Sequence, residues 1–370
     1  MRKPCRALSL VLIAGIAGFA GTNVQADKID DFVAGEMREH QITGLSLAII
    51  EDGKICKAQG YGFTDQGGHA PVTTATLFQA GSISKSVAAL GALHLVGQGK
   101  LSLDADVNTE LRSWKIPANE FTQEKQVTLR RILSHGAGLT VHGFPGYAAD
   151  ATPPTLAQVL DGLKPANTAP IRVDLKPGSK WRYSGGGYTV MQQMVIDVTG
   201  RPFPAFMAET VLQPLGMTAS TYEQPLPKDR AASSATGHHP NGKAIEGKWH
   251  VYPEMAAAGL WTTASDLARF AIGIQQSLAG KTNPVISQAM TREMLTPAMA
   301  DDGLGVFLAR RGGKLWFSHD GRDAGFDATM MASAETGQGA VIMINQNDNS
   351  GAVKRILEAI SKEHHWQHHP

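Results

Sequence analysis

Segments with strand chemistry cluster at the two ends of this chain, and that distribution constrains the fold more than any other feature. Leu45 to Ile50 is an apolar run, Glu51-Asp52-Gly53-Lys54 is turn chemistry, and Ile55 to Tyr61 resumes as a strand, together a hairpin signature. Ahead of it, Ile29 to His40 has the pattern of a short amphipathic helix. Near the other end, Gly305 to Ala309, Lys314 to Ser318, Ala328 to Ser333 and Ala340 to Asn345 are strand-like segments broken by Gly, Asp and Arg clusters. Gly351 to Glu363 then places Val353, Ile356, Leu357 and Ile360 at helical spacing. Two sets of strands so far apart predict one antiparallel sheet built from both chain ends and flanked by helices. The intervening stretch, about Pro71 to Leu295, is richer in helix signals, Gly and Pro. The fold class is therefore α+β, with a sheet region over 27–75 plus 296–370 and an inserted, mainly helical region over 76–295. The functional site is expected between them.

Residues 1–26 are set apart from fold reasoning. Arg2, Lys3 and Arg6 precede an apolar and small-residue run from Leu8 to Ala20, and Val24-Gln25-Ala26 reads as a cleavage site. That run is shorter than the roughly 20 residues a spanning helix needs, so it reads as a signal peptide of a secreted or periplasmic protein with no stable membrane anchor after cleavage. Its removal takes away three of 34 basic residues and none of the 33 acidic ones, moving the formal charge from +1 to −2. Such a balance argues against nucleic acid and against a polybasic membrane patch. Cys5 lies inside the leader, so Cys56 is the one remaining thiol and reads as a half-buried strand residue. The terminal His364-His365-Trp366-Gln367-His368-His369 reads as a solvated tail, since no carboxylate or cysteine frames it as a metal site.

Several familiar signatures are missing. No serine has glycine two residues before and after it, Gln275 occupies the first glycine of an otherwise P-loop-like ending at Gly280-Lys281-Thr282, and there is no His-Glu-x-x-His. What remains is Ser82-Ile83-Ser84-Lys85, just before the apolar stretch Val87 to Leu93. If Ser82 opens a helix, Lys85 lies one turn on along the same face, and the helix N-terminus favours a developing oxyanion. A lysine in water holds its proton at neutral pH and makes a poor base, so a second group must share the proton balance. Tyr183, in Tyr183-Ser184-Gly185-Gly186-Gly187-Tyr188, is the candidate, because a phenol beside an ammonium is favoured as phenolate. The glycines let substrate or helix backbone approach closely. The third piece is His319-Asp320-Gly321, at the end of the strand Leu315 to Ser318. A strand edge there can hold an extended substrate through its backbone, with the Arg322 N–H a second oxyanion donor beside that of Ser82. Taken alone, the three residues read more often as a turn.

In this order the pieces resemble the serine β-lactamase and penicillin-binding-protein superfamily, and within it the class C β-lactamase and DD-peptidase branch (peptidase family S12), whose middle motif uses a tyrosine. Leu77 to Lys85, Leu101 to Asp104, Arg131 to Leu139, Pro177 to Tyr188 and Gly259 to Leu267 are each similar to segments of that branch, so the likeness spans about Ile29 to Ile360. It implies Ser82 as the acylated nucleophile, Lys85 and Tyr183 as the acid–base pair, and the backbone N–H groups of Ser82 and Arg322 as the oxyanion hole. Gly185, His319, Asp320 and Gly321 would meet the substrate, and no cofactor or metal is implied. Two departures stand out. Gly185 replaces the Asn that usually binds a substrate amide carbonyl, and His319 stands where many relatives have Lys. The expected activity is hydrolysis of peptides ending in D-amino acids, of small esters or of β-lactams, in that order; the alternatives are a class C-like β-lactamase and a non-turnover penicillin-binding or sensing protein. A histidine at position 319 predicts tighter binding of anionic substrates below about pH 6.5.

Overall fold

The structure, a computed structural model, describes residues 28–366, so the leader and the last four residues, with His368 and His369, lie outside the described residues. A helix, α1 (Lys28–Glu39), precedes the hairpin β1 (Gly44–Glu51) and β2 (Lys54–Gly62). The chain end supplies β3 (Phe307–Arg311), β4 (Lys314–Asp323), β5 (Phe326–Ser333), β6 (Gly339–Ile344) and a closing helix over Ala352–Glu363. These six strands form one antiparallel sheet in the order β2-β1-β6-β5-β4-β3. Residues from the two chain ends meet where β1 pairs β6, with Leu45 opposite Ile344 and Ile50 opposite Gly339.

Strand alternation assigns the two faces. Leu45, Leu47 and Ile49 point with Ile342 and Ile344 into a cluster completed by Ile29 and Val33 of α1 and by Ile356 and Ile360 of the closing helix. Ala48, Ile50, Val341 and Met343 point the other way, into the larger core shared with the helical region. Both faces are covered, which is why β1 is apolar on both sides apart from Ser46 rather than alternating. Trp366 is not part of a solvated tail: it is buried, its ring 5.1 Å from that of Trp316.

The helical region is organised around α2 (Ile83–Gly97), in which every residue from Ile83 to Leu93 is buried. A helix that is apolar on all sides belongs at the centre of a domain. Against it pack α3 (Gly185–Thr199) and the short α4 (Met255–Ala258). Ser184 caps α3 by accepting from the Gly187 N–H at 3.0 Å. The N-termini of α2 and α3 and the far end of β4 thus converge on one place.

β4 runs further than the sequence suggests. His319, Asp320 and Gly321 are not a turn but strand interior, paired with Met330, Thr329 and Ala328 of β5. On the opposite edge β3 stops at the pair Phe307–Ser318, so among the described residues no strand covers His319 to Asp323 there. That leaves an open strand edge beside Ser82.

Candidate active site

Ser82 occupies the N-cap of α2, and Gly81 before it has φ +52°, a conformation that favours glycine. Among the described residues the Ser82 N–H has no protein acceptor. The Lys85 ammonium nitrogen lies 2.9 Å from Ser82 Oγ and donates to the Ala257 carbonyl at 2.7 Å. Lys85 is only 1% exposed. Burying an ammonium costs several kcal/mol unless it is well partnered. The partners here are that carbonyl, the serine oxygen and the Tyr183 ring, whose centroid is 5.0 Å from Nζ. A cation placed at this expense beside a hydroxyl serves chemistry rather than stability.

Tyr183 lines the same cavity and is half-buried. Its hydroxyl has no protein hydrogen-bond partner among the described residues. The ring is held by packing, 4.1 Å from the His135 ring and 4.8 Å from that of His142. His135 sits in left-handed backbone (φ +57°), and its Nδ1 accepts from the Ser184 N–H at 3.1 Å, which assigns its proton to Nε2. Burial, reinforced by the Lys85 charge, pushes His135 well below its usual range and keeps it neutral.

Glycines fit β4 against the nucleophile segment. A Cβ on Gly321 would lie 1.9 Å from the Ala80 carbonyl oxygen, and one on Gly81 would lie 2.4 Å from the Arg322 nitrogen. Only side-chain-free residues permit this contact, which sets the backbone of Arg322 against the nucleophile segment, with Ser82 and Arg322 both lining the cavity. The Arg322 side chain is engaged elsewhere, in a fork with Asp327 (2.7 and 2.5 Å) and on the Asp348 carbonyl (2.7 Å). Asp320 is exposed, and Thr329 donates to its carboxylate at 2.6 Å.

His319 overturns the expectation of a titrating carboxylate binder. Its pKa falls to about 3, first because burial penalises the imidazolium and then because Lys85 repels it. Nδ1–H donates to the Asp320 carbonyl at 2.6 Å, so the neutral ring keeps its lone pair on Nε2, an acceptor that does not suit a carboxylate.

Gly185 also differs from expectation. It does not line the cavity; a Cβ there would lie 3.0 Å from the His142 carbonyl oxygen and 3.0 Å from the Phe144 ring, both of the loop that covers it. This loop makes the close approaches to Gly185 and Gly186, through the His142 and Thr140 carbonyls and the Phe144 ring.

Some participants were not singled out from the sequence. The Ala257 carbonyl carries no side-chain signal at all. Asp323 is fully buried, lines the cavity, and has an unpartnered Oδ2. Burial raises its pKa well above the carboxylate range, against the pull of Lys85 and of the Gly81 backbone. Behind it Glu254, pushed up to about 7 by burial, accepts from the Tyr147 hydroxyl at 3.3 Å. The cavity lined by Ser82, Lys85, Tyr183, Ala257, His319 and Asp323 has a volume of about 920 Å³.

The arrangement provides a hydroxyl next to a buried amine, a helix N-terminus with a free N–H, and an open strand edge. The family model that matches, over residues 29–362, is described as Beta-lactamase. Penicillin-binding protein 4 of Amycolatopsis lactamdurans is 26% identical over 327 residues, covering 83% of this chain and 82% of that protein. Among solved structures, the octameric penicillin-binding protein homologue from Pyrococcus abyssi superposes with a TM-score of 0.74 at 22% identity, covering 91% of this chain and 76% of that one. The D-amino acid amidase from Ochrobactrum anthropi SV3 gives 0.71 at 23% identity, covering 91% and 99%. The matched model extends over nearly all the described residues, and the chain belongs to the beta-lactamase family of serine hydrolases.

Proposed function

We propose that this protein is an exported acyl-transfer enzyme that hydrolyses D-amino-acid peptides and small esters through a Ser82 acyl-enzyme. The observation that carries the reading is the 2.9 Å contact between Lys85 Nζ and Ser82 Oγ at the N-terminus of the most buried helix. Ser82 Oγ attacks the scissile carbonyl and its proton passes to the Lys85–Tyr183 pair. The N–H groups of Ser82 and Arg322 receive the oxyanion. The pair then protonates the leaving group, and water attacks the acyl-enzyme in a second cycle of the same groups. The open edge of β4 supports an extended substrate alongside. Export rests on the leader-like residues 1–26.

The neutral His319 and the side-chain-free position 185 weigh against efficient hydrolysis of β-lactams, which carry a carboxylate and an amide for those positions to read. The test is a time course of intact mass after adding a penicillin, with Ser82→Ala alongside. The reading expects a Ser82-dependent adduct that decays slowly. Fast decay would make the protein a β-lactamase. If no adduct forms and Ser82→Ala and Lys85→Met leave ester and peptide hydrolysis unchanged, the assignment of the nucleophile is wrong.

A further inference from the structure

Position 185 carries no side chain, and the space beside it is taken by an aromatic ring. The Phe144 ring comes within 3.0 Å of where a Cβ would stand, and Phe144 itself lines the cavity. Two further rings border the same space. Trp181 is 38% exposed, a large apolar surface left open at the cavity. Its indole is fixed by Nε1–H donation to Asp302 at 2.6 Å and by an edge-on contact with His135 at 6.3 Å. Phe307 lies beside both Tyr183 and His319, with ring centroids 6.4 Å and 4.8 Å away. Charged side chains line the cavity as well, among them Lys85, Arg311 on the strand of Phe307, Asp320, Arg322 and Asp327.

We propose that Phe144, Trp181 and Phe307 form an apolar subsite that selects a bulky, preferably aromatic, side chain on the acyl part of the substrate. The inference rests on the acyl-enzyme reading above and deepens it. A polar side chain at position 185 would read an amide through hydrogen bonds. Glycine there admits the Phe144 ring, and the wall it completes offers dispersion and apolar burial instead. Three pre-positioned rings, one held by a hydrogen bond to a carboxylate, lose little entropy on taking up a ligand. Substrates with a small acyl side chain leave the wall in contact with water and gain nothing from it.

The test uses the methyl esters of N-acetyl-phenylalanine and N-acetyl-alanine, each in D and L form. The wild-type protein is compared with Trp181→Ala and with Phe144→Ala, the second of which alters a partly exposed loop. Wild type is expected to favour the phenylalanine ester by at least about tenfold in kcat/KM for the accepted enantiomer, since apolar pockets discriminate on that scale. The ratio should fall toward one in both variants, mainly through KM. Calorimetric binding of the same esters to Ser82→Ala separates the two readings. A preference for the phenylalanine ester there, with no turnover by wild type, would uphold the subsite and overturn the acyl-enzyme. Turnover with equal efficiency on both esters, or a preference that survives both substitutions, would overturn the subsite alone.

Discussion

Replacing His319 by Gln isolates the coupling between a buried imidazole and folding. In the folded protein His319 is buried and its pKa falls from 6.5 to about 3. In the unfolded chain the ring regains its ordinary value near 6.5. Between those values the unfolded chain binds a proton that the folded protein refuses. The stability associated with this group is therefore full above pH 6.5 and is lost as the pH falls toward 3. Each pH unit in that window corresponds to about 1.4 kcal/mol, so the loss from pH 6.5 to 4.5 is on the order of 3 kcal/mol. Gln cannot take up the proton, and His319→Gln should remove this loss. The assay is urea unfolding of both proteins at pH 7.5, 6.5, 5.5 and 4.5. The stability difference between them should be constant above pH 6.5 and shift by about 3 kcal/mol in favour of the variant by pH 4.5. Parallel stability curves down to pH 4.5 would refute the argument. The same neutral ring makes a second demand: at pH 5 roughly one His319 in a hundred is charged. The Michaelis constant for an anionic substrate should therefore be insensitive to His319 between pH 5 and 8.

Three further outcomes follow from the same geometry. Glu254 has its folded pKa raised to about 7, so its contribution is present below about pH 4.5 and is lost as the pH rises through 7. Glu254→Gln should thus gain stability at pH 8 relative to pH 5, by at most about 3 kcal/mol in urea unfolding, and no relative gain would contradict the buried carboxyl. Gly321→Ala puts a methyl group 1.9 Å from the Ala80 carbonyl oxygen, backbone that cannot step aside. It should cost about a hundredfold in kcat/KM by displacing the Arg322 N–H, and wild-type rates in a folded variant would remove that group from the oxyanion hole. Asp323→Asn preserves shape at a site where burial holds the carboxyl uncharged, so kcat/KM at pH 7 should change by less than about threefold; a larger loss would mean that an ionised Asp323 is the counter-charge of Lys85.

The sheet was legible because its strands announce themselves by composition and sit at both ends of the chain, and the pairing of Leu45 with Ile344 closes it in the expected way. Ser82, Lys85 and Tyr183 were legible as residue types in a known order. The extension of β4 through His319-Asp320-Gly321 was not, because Asp and Gly there have turn chemistry and the strand is fixed by its partner Met330 to Ala328 rather than by propensity. The charge state of His319 was not legible either, since it depends on burial against Lys85, a residue more than two hundred positions away. Ala257 contributes through a carbonyl oxygen, which no side-chain pattern can mark. Phe144 could have been suspected from the glycine at 185, but only the packing shows that one fills the space beside the other.

One consequence unites the buried groups. Lys85 is a cation with a 2.7 Å carbonyl partner, and burial pushes the Asp323 carboxyl, which lines the same cavity, well above the carboxylate range and toward its protonated form. His135 and His319 are held neutral by that same burial and by repulsion from Lys85. Two neutral imidazoles and a neutral carboxyl therefore surround a single positive charge. An ionised Asp323 would cancel its field where negative charge develops on the substrate oxygen. Uncompensated, that field adds to the helix N-terminus and to the two backbone N–H groups, all fixed before the substrate arrives. Between about pH 4.5 and 6.5 the gain from His319 and the loss from Glu254 run with about the same slope and nearly cancel, so stability should be broadly level across that window, falling below it through the histidines and above it through Glu254.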